Sequence, residues 1–156
     1  MKTKITSLVL ALLVICSLFT MTACNDKTET QTTEPQASTM TLVVGSKSNT
    51  IYIVELDKVE TDKGIMPILE HLKKEKGLEY KSEDSGYGAF LTKVGDLVQR
   101  DKTYIYLYTS VEKDRDVSEY SRVVNFEGKI LYSSGVGASE MTIEPGCTIY
   151  IGMVNM

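Results

Sequence analysis

The chain has no tryptophan, one histidine and three cysteines in 156 residues. These shortages exclude most catalytic designs. A cysteine nucleophile needs an activating partner, and a helical histidine metal site needs a second ligand one turn away. The only histidine, His71, has no second histidine or cysteine at i±4, so it reads as a residue on the solvated side of a helix. No nucleophile–base pair, metal cluster or motif-placed pair of acids stands out, and the expectation is a protein that is not an enzyme and requires no cofactor. Cations are also scarce, at 17 Lys and Arg against 21 Asp and Glu. Lys2 and Lys4 lie near the start, so from Cys24 onward the formal charge falls to −6, with 15 basic against 21 acidic groups. Nucleic acids and anionic membrane surfaces both require clustered Lys and Arg, so neither is expected as a charge-held partner.

The N-terminus carries an address. Lys2 and Lys4 precede an apolar run from Leu8 to Phe19, then Met21-Thr22-Ala23-Cys24. The run is too short and wrongly flanked to be a spanning helix and has the layout of a secretory signal. Small residues directly before a cysteine resemble the lipobox of bacterial lipoproteins, with Met21 where Leu is commonest. The resemblance implies a signal over residues 1–23, cleaved so that Cys24 becomes the acylated first residue. It also implies stable attachment to the outer face of a bacterial cytoplasmic membrane, at the surface of a Gram-positive cell. An ordinary cleaved signal with an incidental cysteine is the alternative. Residues 24–39 are polar and Thr-rich, with too little apolar content to bury, and read as a disordered tether. Cys147 then remains as a single thiol. It cannot form an internal disulfide and reads as a small core residue.

Residues 40–156 make one domain. Thr41–Val44 and Thr50–Leu56 flank the turn-forming Gly45–Asn49 and predict a hairpin, with Ile51, Ile53 and either Val54 or Leu56 facing a core. One helix follows. Thr61 or Asp62 is its candidate cap, Pro67 suits its first turn and Gly77 its end. Ile65, Ile68 or Leu69, and Leu72 form its apolar stripe. Gly86 and Gly88 turn the chain into a strand from Ala89 to Val94; they neither open a helix nor precede a Lys-Ser/Thr pair, so they form no phosphate loop. Tyr104 to Thr109 alternates strictly, with Ile105 and Leu107 on one face and Tyr104, Tyr106 and Tyr108 on the other. The charge run Glu112–Asp116 reads as a solvated loop. Val123–Phe126 and Lys129–Tyr132 predict a small hairpin, Met141–Ile143 a short extended piece and Thr148–Val154 the last strand.

From about Ile65 to Val154 the chain resembles the transcobalamin-like C-terminal domain family of vertebrate cobalamin carriers and bacterial surface lipoproteins. Three places carry the resemblance: Tyr87 to Gly95, Tyr104 to Tyr108, and Gly135 to Tyr150. Ile105 stands where the family has tryptophan, and Thr109-Ser110 where others have Asn-Gly. The vertebrate carriers sandwich ligand against a larger helical domain, which this sequence does not contain. The resemblance implies an α+β, β-grasp-like mixed sheet with one packed helix. It further implies a membrane-anchored extracytoplasmic lipoprotein that binds cobalamin or a similar small molecule for uptake, with a transporter as a further partner.

On that fold Ile105, Leu107, Ile149 and Ile151 should meet Ile65, Leu69 and Leu72. Tyr104, Tyr106, Tyr108 and Tyr150 should then share the other face, with Tyr87 and Phe90 near the strand entry, as the candidate ligand-binding residues. Rings with hydroxyl rims suit a planar ligand, a glycan or a protein. Two alternatives stay open at this point: residues 111–134 fold over the tyrosines as a second small core, or the face serves a surface protein partner with no small ligand.

Overall fold

The computed structural model describes residues 38–156; the expected signal, Cys24 and nearly all of the tether lie outside them. Among the described residues, nine strands and one α-helix make a mixed α+β domain. In chain order they are β1 (Thr39–Gly45), β2 (Asn49–Glu55), α1 (Met66–Lys76), β3 (Tyr80–Ser85), β4 (Gly88–Val94), β5 (Leu97–Val98), β6 (Thr103–Thr109), β7 (Val123–Phe126), β8 (Lys129–Ser133) and β9 (Thr148–Asn155). Six strands form one sheet in the order β2-β1-β9-β6-β8-β7, and β3-β4-β5 form a second. β1 and β9 are parallel, whereas β9 and β6 are antiparallel over Thr103–Thr109.

The period-two pattern of the central strands decides the layering. Leu42 and Val44 of β1, Ile105 of β6, and Ile149 and Ile151 of β9 project to one face. There they join Ile68, Leu69 and Leu72 of α1 and Leu91 and Val94 of β4 in a single core. Each side chain so buried is worth roughly 1.5–3 kcal/mol, and a one-residue slip of register would forfeit a whole row. On the opposite face Val43 and Tyr108 are covered by Phe126 and Leu131 of the β7–β8 hairpin, which curls over the sheet and makes a second core. Of the two alternatives left open for this face, the hairpin covers part of it.

α1 ends as its sequence suggests. Gly77 is left-handed (φ +70°), its N–H donates to Lys73 O at 3.1 Å, and Leu78 N–H donates to Leu72 O at 3.3 Å. This pair of bonds satisfies carbonyls left open by the last turn. The start differs from expectation. Neither Thr61 nor Asp62 caps it; the residue at the cap position is Ile65, with no side-chain cap bond. Its N–H donates instead to Ala138 O at 2.9 Å. Gly64 makes that docking feasible: its φ is +58°, and a Cβ there would stand 2.2 Å from Ala138 O.

Three further differences have local causes. Ile51 and Ile53 point to solvent, at 45 % and 65 % exposure, because β1 pairs Thr41 with Ile53 and so turns Val54 and Tyr52 to the core side. β3 was not expected, since Lys81, Ser82, Glu83 and Asp84 offer no apolar alternation; its backbone pairing to β4 makes it a strand. The charge run at 112–116 is not wholly solvated. A 3-10 turn over Glu112–Asp114 buries Asp114, which accepts from Thr142 N–H and, at 2.9 Å, from Thr142 Oγ1. Those bonds tie the loop after β6 to residues 141–143, which pass as irregular chain rather than a strand.

Candidate functional site

β6 is the strand around which both clefts form. β9 pairs with its whole length, but β8 reaches only Tyr108 and Thr109 on the other side. Ser134 N–H donates to Leu107 O at 2.8 Å, and there the pairing stops. The remaining length of β6 faces β4 of the second sheet across a cleft of about 440 Å³. Ala89, Phe90 and Leu91 of β4 line one wall, and Ile105, Tyr106 and Leu107 of β6 the other. The loop Ser134–Gly137 closes one side, and Ser85 and Asp116 add polar groups.

That loop is held like an extra strand. Gly137 N–H donates to Tyr87 O at 2.9 Å, Ala138 N–H to Ala89 O at 2.8 Å, and Ala89 N–H to Ser139 Oγ at 2.9 Å. Such close approach requires glycine: a Cβ on Gly137 would lie 2.3 Å from Tyr87 O. Two aromatic side chains line the opening, Tyr87 at 84 % exposure and Phe90 at 37 %. Tyr87, so exposed, gains little from the core, and the faces of both rings can stack on an apolar guest.

The second cleft, about 830 Å³, runs past the Gly45–Ser48 turn and is floored by Tyr108 and Tyr150, with Val123 and Val124 on the hairpin side. Lys47 and Asp96 give it a more polar rim. Tyr108 meets Tyr150 edge to face, with centroids 6.0 Å apart, and Phe126 lies 6.1 Å from Tyr150. The Tyr150 ring lies over Gly45 and Gly152, and its hydroxyl donates to Asn49 Oδ1 at 3.3 Å. Burial pushes the Tyr108 phenol up from its ordinary pKa, an effect partly opposed by the nearby positive charge of Arg122. Arg122 stands 6.0 Å from the Tyr106 ring, within cation–π range.

Tyr106 and Tyr108 adjoin, with ring centroids 6.3 Å apart, yet the six aromatics do not share one cleft. Tyr87, Phe90 and Tyr106 line the first cleft, Tyr108 and Tyr150 the second, and half-buried Tyr104 lines neither. The cleft between β4 and β6 is also lined by Ala89, Leu91, Val136 and Gly137, and by Ile105 and Leu107, which the sequence reading assigned to the core. The paired glycines at 135 and 137 were the available signal, since a loop rich in glycine allows close backbone approach. Cys147 is buried and its thiol is pushed up by that burial, which disfavours the thiolate. Among the described residues, no group of three His, Cys, Asp or Glu side chains is placed to hold a metal ion.

No family model matches the chain, and no curated protein matches it. Solved structures do. Haptocorrin in complex with Cbi aligns at a TM-score of 0.54 and 14 % identity, over 75 % of this chain and 25 % of haptocorrin. This chain thus spans about a quarter of that relative. A protein from Ruminococcus gnavus with a provisional metal-binding designation aligns at a TM-score of 0.48 and 13 % identity, over 76 % of this chain and 98 % of its own. At this distance the haptocorrin likeness concerns the fold alone: a mixed α+β domain of the kind found in that binding protein.

Proposed function

We propose that this chain is an extracytoplasmic lipoprotein, anchored through Cys24, whose β-grasp-like domain captures a small apolar or planar molecule of the cobalamin kind in the cleft between β4 and β6. The observation that carries the proposal is the pair of exposed aromatics, Tyr87 and Phe90, at the mouth of an apolar cleft. Its volume falls within the roughly 300–1,000 Å³ of ligand pockets, and its lining mixes apolar side chains with the polar groups of Ser85, Asp116 and Ser134. Ile105 lines this cleft at the position where the resembling family carries tryptophan. Delivery to a transporter is the natural use of such a domain on a tether.

Calorimetric titration of the chain with cobalamin and its precursors tests the proposal. Saturable binding is expected, weakened about tenfold or more by Tyr87→Ala or Tyr106→Ala, about 1.4 kcal/mol or more for each lost ring. Tyr150→Ala, in the other cleft, should leave it unchanged. No heat at ligand concentrations of about 1 mM, or binding sensitive only to Tyr150, overturns the assignment. A second reading, docking of a surface protein, draws on Val117 and Tyr120, which stand 90 % and 75 % exposed beyond the 3-10 turn. A module of that kind gives no heat with any small ligand and binds its partner less tightly once Val117→Asp is introduced.

A further inference from the structure

Among the described residues the two sheets have four outer edges, and three are guarded. β5 and β7 are two and four residues long. β3 carries Lys81, Glu83 and Asp84, and its ladder with β4 slips between Lys81 and Ser82. Shortness, charge and irregularity are the ordinary means of keeping foreign strands away from an edge. β2 has none of these. It runs seven residues in unbroken register with β1, and its only charged residue is Glu55 at its end. Ile51 and Ile53 stand exposed along it.

The direction of its backbone groups follows from one bond. Leu56 N–H donates to Ser38 O at 2.7 Å, one step beyond the Thr39–Glu55 pair. Hydrogen-bonded pairs alternate along an antiparallel ladder, so Thr50, Tyr52 and Val54 also turn toward β1. Asn49, Ile51, Ile53 and Glu55 therefore direct their N–H and C=O groups to the free edge.

We propose that β2 pairs antiparallel with β2 of a second copy of this chain, about a two-fold axis at Tyr52, joining the two six-stranded sheets into one. In that register each Ile51 lies opposite the other copy's Ile53, and Asn49 lies opposite Glu55. Sliding by two residues either way sets an isoleucine against Asn49 or Glu55, so the apolar pairs select the dyad. The charges agree with it. Lys47 lies just beyond one end of β2 and Asp57 just beyond the other, and antiparallel pairing brings each against its opposite. A contact that one surface patch makes with itself is the isologous arrangement of two-fold dimers. The interface is small beside the roughly 1,200–2,000 Å² of stable complexes, so its dissociation constant lies in about the micromolar range or above.

Cross-linking tests the register. At the axis, residue 52 faces its own counterpart in a non-hydrogen-bonded pair, with Cα atoms about 4.5 Å apart, within disulfide reach. The whole chain in mild detergent, bearing Tyr52→Cys, should form a covalent dimer on mild oxidation at about five times the parent's yield or more. Ile53→Cys should not, because its counterpart lies off the dyad. Independently, Ile51→Lys with Ile53→Lys, two changes at exposed positions, should raise the dimer dissociation constant at least about tenfold in sedimentation. Equal linkage by both cysteine variants, a dimer indifferent to the two lysines, or a parent that stays monomeric to about 500 μM would overturn the proposal.

Discussion

Replacing Gly137 by alanine tests how the cleft between β4 and β6 is built. Gly137 lies outside the left-handed region, so the added methyl acts through space alone. Its nearest neighbours are all backbone: Tyr87 O at 2.3 Å, the Gly88 carbonyl carbon at 2.9 Å and Gly88 Cα at 3.0 Å. No flexible side chain can swing aside. The loop must lift from β4, loosening the Gly137–Tyr87 and Ala138–Ala89 hydrogen bonds. Overpacking costs about 1–3 kcal/mol and each lost hydrogen bond a net 0.5–1.5. These terms overlap, since lifting the loop relieves the clash, and the expected loss is about 2–3 kcal/mol. For a domain of this size that lowers Tm by roughly 8–12 °C. The internal control is two residues away. A Cβ on Gly135 meets Asp116 Cα at 3.4 Å, an ordinary contact, so Gly135→Ala should change stability by less than about 1 kcal/mol. Thermal melts by circular dichroism compare the pair, and ligand titration of both reports whether the wall has moved. If Gly137→Ala melts within about 2 °C of the parent, the loop is not seated on β4 as described.

Other perturbations separate the two cores and the buried carboxylate. Leu131 is fully buried under the curled hairpin, so Leu131→Ala should cost about 2–5 kcal/mol in denaturant melts. Asp114→Ala leaves Thr142 N–H without its acceptor and should cost about 1–3 kcal/mol by the same assay, with Asp114→Asn milder because an amide oxygen still accepts. Burial holds Tyr108 neutral in the folded state, above its ordinary pKa. The folded chain thus binds its phenolic proton more tightly than the unfolded chain. That stabilisation is complete below the unfolded value of about 10 and is lost as pH rises through the folded one. Melts between about pH 9 and pH 12 should therefore fall less steeply for Tyr108→Phe than for the parent.

Much of this was legible in the residues. The strict alternation of Tyr104–Thr109 placed Ile105 on the helix side, and Pro67 and Gly77 bracketed α1. What escaped notice depends on partners distant in sequence. Ile65 opens its helix without a side-chain cap because Ala138, far along the chain, accepts its N–H. Asp114 sits in a charge run yet is buried because Thr142 supplies two donors. Ile51 and Ile53 look like core residues until the register with β1 turns them outward. The tyrosines were correctly set on one face of β6. Their division between two clefts depends on where β8 stops pairing, at Tyr108, and no local pattern encodes that stop.

β9 comes after all the other strands in the chain yet lies between β1 and β6. Its pairing of Ile149 with Leu42 and of Tyr108 with Tyr150 joins segments made early to one made late. Until residues 148–155 have left the ribosome, β1 and β6 lack their common neighbour and the larger sheet remains two unconnected fragments. Loop closure over so many residues is slow, so the junction of β1 with β6 through β9 forms late. A domain wired this way can complete its larger sheet only once β9 is free to slot between strands that precede it in the chain.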